Sequence, residues 1–126
     1  MDLVDANVFL EVILAQENEK KCRAYLQRNR ENLCISDFTL HSIGVILFRN
    51  RCEDKFQVFV EDLLGNATVL SLPITQYANL PSVRSQWGFD FDDSYQYAMA
   101  KAHGLRLVTK DKDFEASGNE VEVLFL

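Results

Sequence analysis

Short apolar runs alternate along this chain with longer stretches of helical period, and that alternation points to α/β architecture. The runs are Met1 to Val4, Leu33-Cys34-Ile35, Thr68 to Leu72, Leu105 to Thr109 and Val121 to Phe125, which read as strands, the last at the edge of the sheet. Between them, Asn7 to about Ala15 sets Val8, Phe9, Val12 and Ile13 at helical spacing, and Glu17 to Arg30 sets Cys22, Tyr25 and Leu26 on one face. A third helix is expected from Phe38 to Asn50, capped by Ser36 or Asp37, with Ile43, Val45, Ile46 and Leu47 mostly buried. Lys55 to Leu64 is a fourth, stopped by Gly65-Asn66. Thr75 to about Trp87 reads as helical with a kink or interruption at Pro81, and a last helix starts at Asp92 or Asp93 and runs to His103, where Gly104 stops it.

Bulk properties narrow the class further. The 126 residues, 48% of them apolar and 25% charged, suit a single globular domain spanning residues 1–126. A net charge of −6 argues against a protein that holds nucleic acid by basicity alone. Cys22, Cys34 and Cys52 are an odd count without a Cys-x-x-Cys pair, so neither a disulfide framework nor a zinc site is indicated, and reduced thiols in a cytoplasm are expected. No apolar run reaches the ~18 residues of a membrane span, and Asp2 and Asp5 replace the positive start of a signal peptide, so no membrane association is expected.

Aspartates stand just past the strand-like runs at distant points of the chain. Asp5 follows Leu3-Val4, Asp93 opens a helical stretch, and Asp111 and Asp113 follow Leu105 to Thr109. Strand carboxyl ends are where ligands bind in parallel sheets. Carboxylates converging there repel one another unless a divalent cation neutralises them. Each has a plain alternative. Asp5 and Asn7 could be helix caps, Asp90, Asp92 and Asp93 could answer the positive end of a helix, and Thr109 to Phe114 could be a polar turn. Their joint occurrence at strand and helix junctions favours a metal site acting on phosphoesters, as in a nuclease. His41 and His103 have no evident partner for catalysis. The basic residues Lys20, Lys21, Arg23, Arg28 and Arg30, with Arg49, Arg51 and Lys55, are either solvated faces or a rim for a phosphate backbone.

Three blocks carry a resemblance to a known family: Val4-Asp5-Ala6-Asn7-Val8-Phe9-Leu10, Ile35 through Ile43, and Asp93 through Ala100 continuing to Leu107-Val108-Thr109-Lys110-Asp111-Lys112-Asp113-Phe114. Together they resemble the PIN domain, the fold of the toxin ribonucleases of VapBC-type toxin–antitoxin pairs. The resemblance implies a three-layer α/β/α sandwich on a mainly parallel sheet, magnesium or manganese held by clustered acids, and cleavage of single-stranded RNA. It implies Asp5, Asp93 and Asp111 as catalytic, metal-binding acids, Asp113 as an auxiliary metal-binding acid, and Asn7 and Thr109 as supporting residues. It further implies an antitoxin protein partner and a homodimer.

One position departs from that pattern. The family's second acid is a Glu in the middle block, and Ser42 stands there, a neutral hydroxyl in a supporting role at best. Asp37 lies a turn and a half earlier and is not expected on the same face, while Glu11 is a conjectural substitute. Two readings follow: a metal-dependent endoribonuclease, or a catalytically weakened PIN-fold module that binds RNA or protein. A receiver- or phosphatase-like domain is a third, but Asp2 and Asp5 are poorly spaced for the acid pair it needs.

Overall fold

The structure, a computed structural model, describes residues 1–126 apart from the side chain of Leu64. Its strands are β1 (Asp2–Val4), β2 (Leu33–Ser36), β3 (Ala67–Leu70), β4 (Arg106–Thr109) and β5 (Val123–Phe125). They form one sheet in the order β3-β2-β1-β4-β5, and every neighbouring pair is parallel. The helices are α1 (Ala6–Ile13), α2 (Glu19–Arg28), α3 (Asp37–Arg49), α4 (Glu53–Leu64), α5 (Ile74–Tyr77), α6 (Leu80–Trp87) and α7 (Phe91–His103).

Alternation along the strands sorts the core into two layers. Val4, Ile35 and Val108 pack with Val8, Phe9, Ile43 and Leu47 under α1 and α3, where Cys22, Tyr25 and Leu63 bring in α2 and α4. Leu3, Cys34 and Leu107 point the other way, against Leu80 of α6 and Tyr95, Tyr97 and Met99 of α7. The result is the expected three-layer α/β/α sandwich. Each fully buried aliphatic side chain contributes about 1.5–3 kcal/mol, so either face is strongly specified.

The topology places the site. The chain moves outward from β1 to β2 to β3, then returns to the other side of β1 for β4 and β5. The crevice beyond the carboxyl ends of β1 and β4 is therefore the switch point where open parallel sheets bind ligands. The register pairs Leu3 with Leu107 and Val4 with Val108, so Asp5 and Thr109 leave the sheet side by side. At the opposite end of the same two strands, Arg106 Nε and Nη2 donate to Asp2 Oδ1 (3.0 Å) and Oδ2 (2.8 Å), and the Tyr25 hydroxyl donates to Asp2 Oδ2.

Several boundaries differ from the sequence reading. Ser36 is the cap of α3, its hydroxyl accepting from Thr39 N, and Asp37 is the first helical residue. Of the α3 residues expected inside, Ile43 and Leu47 are buried, but Val45 is 48% exposed, because the helix turns only one stripe to the sheet. The segment from Thr75 is interrupted before its proline: α5 ends at Tyr77, and Pro81 sits in the first turn of α6, where its missing N–H costs nothing. α7 begins earlier than expected, with Asp90 as its cap instead of Asp92 or Asp93 at its start. Gly104 ends α7 at φ +63°, a left-handed conformation that suits glycine. Among the described residues, no helix is long and apolar enough to cross a membrane.

Candidate metal centre

Asp5 passes directly from β1 into α1, and its backbone N–H still donates to Val108 O at 2.9 Å. Its carboxylate is fixed on both oxygens. Oδ1 accepts from Ala6 N (2.8 Å), and Oδ2 accepts from the Thr109 hydroxyl (2.9 Å) and Asn7 Nδ2 (3.3 Å). Asn7 also bridges to β4: its Nδ2 lies 3.2 Å from Thr109 Oγ1, and its Oδ1 accepts from Lys110 N at 3.0 Å. Asp111 N donates to Thr109 Oγ1 at 3.0 Å. Thr109 and Asn7 thus orient the acids on both strands. The capping role of Asp5 is real as well, because it satisfies an α1 N–H.

Asp93 arrives from a different direction. The side chain of Asp90 accepts from Asp93 N at 3.1 Å, which closes the first turn of α7 and leaves Asp93 only 8% exposed. No donor among the described residues reaches its carboxylate. Asp111 caps the 3-10 turn Lys112–Ala116, its Oδ1 accepting from Asp113 N at 2.9 Å, and Phe114 anchors that turn in the core. One carboxylate oxygen each of Asp93, Asp111 and Asp113 lies within 4.8 Å of the others.

Electrostatics mark this as an unmet concentration of negative charge. Burial pushes the Asp93 carboxyl up to about 7, and the charges of Asp90, Asp111, Asp5 and Asp113 add to it. Burial likewise raises Asp5, aided by the Asp111 and Asp92 charges and opposed by the Thr109 and Ala6 hydrogen bonds. The donor set is all carboxylate oxygen, which suits a hard cation. Oxygens about 2.1 Å from one magnesium ion are at most about 4.2 Å apart, so the 4.8 Å spread needs only a small contraction to close on an ion. The residues fit a divalent metal.

Other expected residues lie elsewhere. Ser42 is half-buried on α3, with no hydrogen bond to its hydroxyl among the described residues, and it adds no charge. Glu11 is not free to replace it. Glu11 is paired with Lys110 Nζ, and its Oε2 accepts from Asn18 N at 2.8 Å. Asp37 is engaged too, accepting from Phe38 N (2.8 Å), the Tyr95 hydroxyl (2.6 Å) and the Ser71 hydroxyl (3.2 Å). None of the basic residues read as either solvated faces or a phosphate rim lines the cleft beside Asp93 and Asp113. Arg23 and Arg30 line an apolar groove of about 600 Å³ between α1, α2 and α4. The cleft next to Asp93 and Asp113, about 650 Å³ in volume, has Lys112 as its one lining cation. Asp90, which the sequence offers only as one of three acids answering a helix end, is the cap that organises the first turn of α7. The Asp90-x-x-Asp93 spacing, an acid at the cap and another three residues on, was the available signal.

The PIN domain family model matches residues 3–119. No curated protein matches the chain by sequence. Among solved structures the chain is similar to FitAcB from Neisseria gonorrhoeae, at 27% identity over 100% of this chain and 97% of that one, with a TM-score of 0.73. It is similar to a chain of a toxin–antitoxin complex from Klebsiella pneumoniae, at 17% identity, 98% and 96% coverage and a TM-score of 0.77. It is also similar to VapC20 from Mycobacterium tuberculosis, a toxin that cleaves the sarcin–ricin loop, at 15% identity, 97% and 99% coverage and a TM-score of 0.79. The last two likenesses are of fold alone.

Proposed function

The chain belongs to the PIN domain family, and from that premise we propose that it is a metal-dependent endoribonuclease acting on single-stranded RNA in the cytoplasm, the toxin of a toxin–antitoxin pair. The observation that carries the reading is the convergence of Asp93, Asp111 and Asp113, with Asp5 held beside them, at the switch point of the sheet.

Asp5, Asp93 and Asp111 are the proposed catalytic acids, and Asp113 joins Asp93 and Asp111 as a metal ligand. Magnesium or manganese, when bound, supplies Lewis acidity for phosphodiester hydrolysis and makes water a competent nucleophile near neutral pH. The chain's own residues supply position. Asp5 lies outside the group of three oxygens within 4.8 Å, and Thr109, Asn7 and Ala6 N fix its orientation beside them. Asp93 carries no competing donor and gives up a proton when an ion binds. Asp111 is oriented through its own N–H on Thr109. Similarity to a chain of a toxin–antitoxin complex supports an antitoxin-class partner, and the homodimer rests on the family resemblance alone.

A second reading is favoured by one observation, the neutral Ser42 where the family has an acid. In it the chain keeps the fold as an RNA- or protein-binding module of weakened activity. Calorimetric titration of manganese into the intact chain and into D93N/D111N separates the two. Micromolar-range binding that the double variant loses, followed by RNA cleavage, is the expected result. No binding to the intact chain would overturn the nuclease reading in favour of the module.

A further inference from the structure

We propose that Phe91 is a base-stacking residue for the single-stranded nucleic acid engaged at the acid cluster, an inference that rests on the nuclease reading above. α7 buries Asp93 through Tyr97 without a break, yet its first residue, Phe91, is 51% exposed. The ring is braced from behind. Its centroid lies 5.9 Å from that of Phe38 and 6.3 Å from that of Tyr95, and Tyr77 packs edge-on against Tyr95 at 5.9 Å. Tyr95 is itself fixed, donating to Asp37 Oδ1 (2.6 Å) and accepting from Leu72 N (3.1 Å). The outcome is a rigid aromatic patch whose open surface is Phe91, rimmed by the 37%-exposed Tyr77.

Position and charge select the occupant. Phe91 lies between the Asp90 cap and Asp93 in the first turn of α7, two residues from one of the clustered acids, so a strand whose phosphate is held there through a divalent ion passes the turn that carries this ring. The chain carries a net −6, and the cleft lined by Asp90, Asp93 and Asp113 has one lining cation, Lys112, so backbone charge contributes little grip here. A neutral, rigid π-face can hold a nucleotide by stacking without regard to base identity. A second copy of the chain fits less well. A two-fold contact through Phe91 would press the exposed Asp90 and Asp92 of both copies together.

The test uses the full chain, alone and with Phe91→Ala or Phe91→Trp, in calcium in place of magnesium to slow turnover while keeping every acid. Each is titrated with an oligoadenylate and with an abasic ribose-phosphate oligomer of equal length. Phe91→Ala is expected to weaken oligoadenylate binding about five- to hundred-fold. Phe91→Trp keeps that binding, and the abasic oligomer binds all three chains equally. Equal loss on both oligomers overturns the proposal. So does undiminished or absent binding of oligoadenylate, or a Phe91→Ala chain that changes only its oligomeric state in ultracentrifugation. Cleavage of RNA by the unsubstituted chain decides the nuclease reading separately, so the two can fail independently.

Discussion

Asp2 and Asp5 stand at opposite ends of β1, and the chain treats their charges in opposite ways. Burial works against the charge of Asp2, but the hydrogen bonds from Arg106 and Tyr25 and the Arg106 charge outweigh it and hold its carboxyl below the usual range. Burial also works against Asp5, where the hydrogen bonds from Thr109 and Ala6 N do not suffice, and neighbouring acids push it further up. Neither shift follows from the residue type. At the amino end of the sheet a carboxylate meets a guanidinium, and the pair joins β1 to β4. At the carboxyl end four carboxylates form no salt bridge among the described residues: Lys110 is taken by Glu11, and Lys112, which lines the cleft beside them, pairs with none of them. A charge cluster left unbalanced by its own protein is a place kept for a ligand of opposite sign.

The comparison breaks most sharply under substitution at the acid end. Asp111→Asn should lower RNA cleavage by roughly 10²–10³-fold while leaving the fold intact, as read by cleavage rate beside thermal unfolding. Cleavage at the native rate would remove Asp111 from the proposed site. Next in size, Arg106→Ala strands the buried Asp2 carboxylate and should cost about 3 kcal/mol in urea unfolding, with manganese affinity unchanged. An equal effect on both quantities would mean the two ends are not independent.

A smaller effect has the opposite sign. Burial, helped by the neighbouring acids, pushes the Asp93 carboxyl up to about 7, well above the usual carboxylate range. A carboxyl whose folded pKa is raised binds its proton more tightly when folded, so the metal-free chain loses stability as pH rises from about 4 through about 7. Asp93→Asn should remove that slope and be more stable by on the order of 2 kcal/mol at about pH 8. Manganese affinity of the native chain should fall as pH drops below about 7, because the proton and the ion compete. A pH-independent affinity in calorimetry contradicts the Asp93 assignment. The smallest change in stability belongs to Asn7→Ala, which loosens Asp5 and Lys110 for about 1 kcal/mol yet should weaken manganese binding about tenfold.

Much of the architecture was legible because local rules and the tertiary fold agree. Gly104 after His103, Gly65 after Leu64, and Ser36 before a helical run each sit where the structure ends or caps a helix. The misreadings are equally physical. Val45 lies in an apolar run, yet the orientation of α3 over the sheet leaves it outside. Of the two readings open for the charged α2 face, solvated surface or phosphate rim, the fold favours the first, because α2 packs on α1 and lends no residue to the cleft beside the acids.

The strands, the α/β class and the aspartates just past β1 and β4 and at the start of α7 could be read from the chain directly. Those properties are written in local period and residue type, which act over a few positions. The sequence could not say that Asp2 would be neutralised and Asp5 would not. That depends on residue 106 lying beside residue 2 and residue 109 beside residue 5, and only the β1–β4 register decides it. Nor could it show that Glu11 is spent on Lys110, or that Phe91 stands open on a braced aromatic patch. Charge balance and exposure arise from what folding brings close in space, so they belong to the tertiary structure alone.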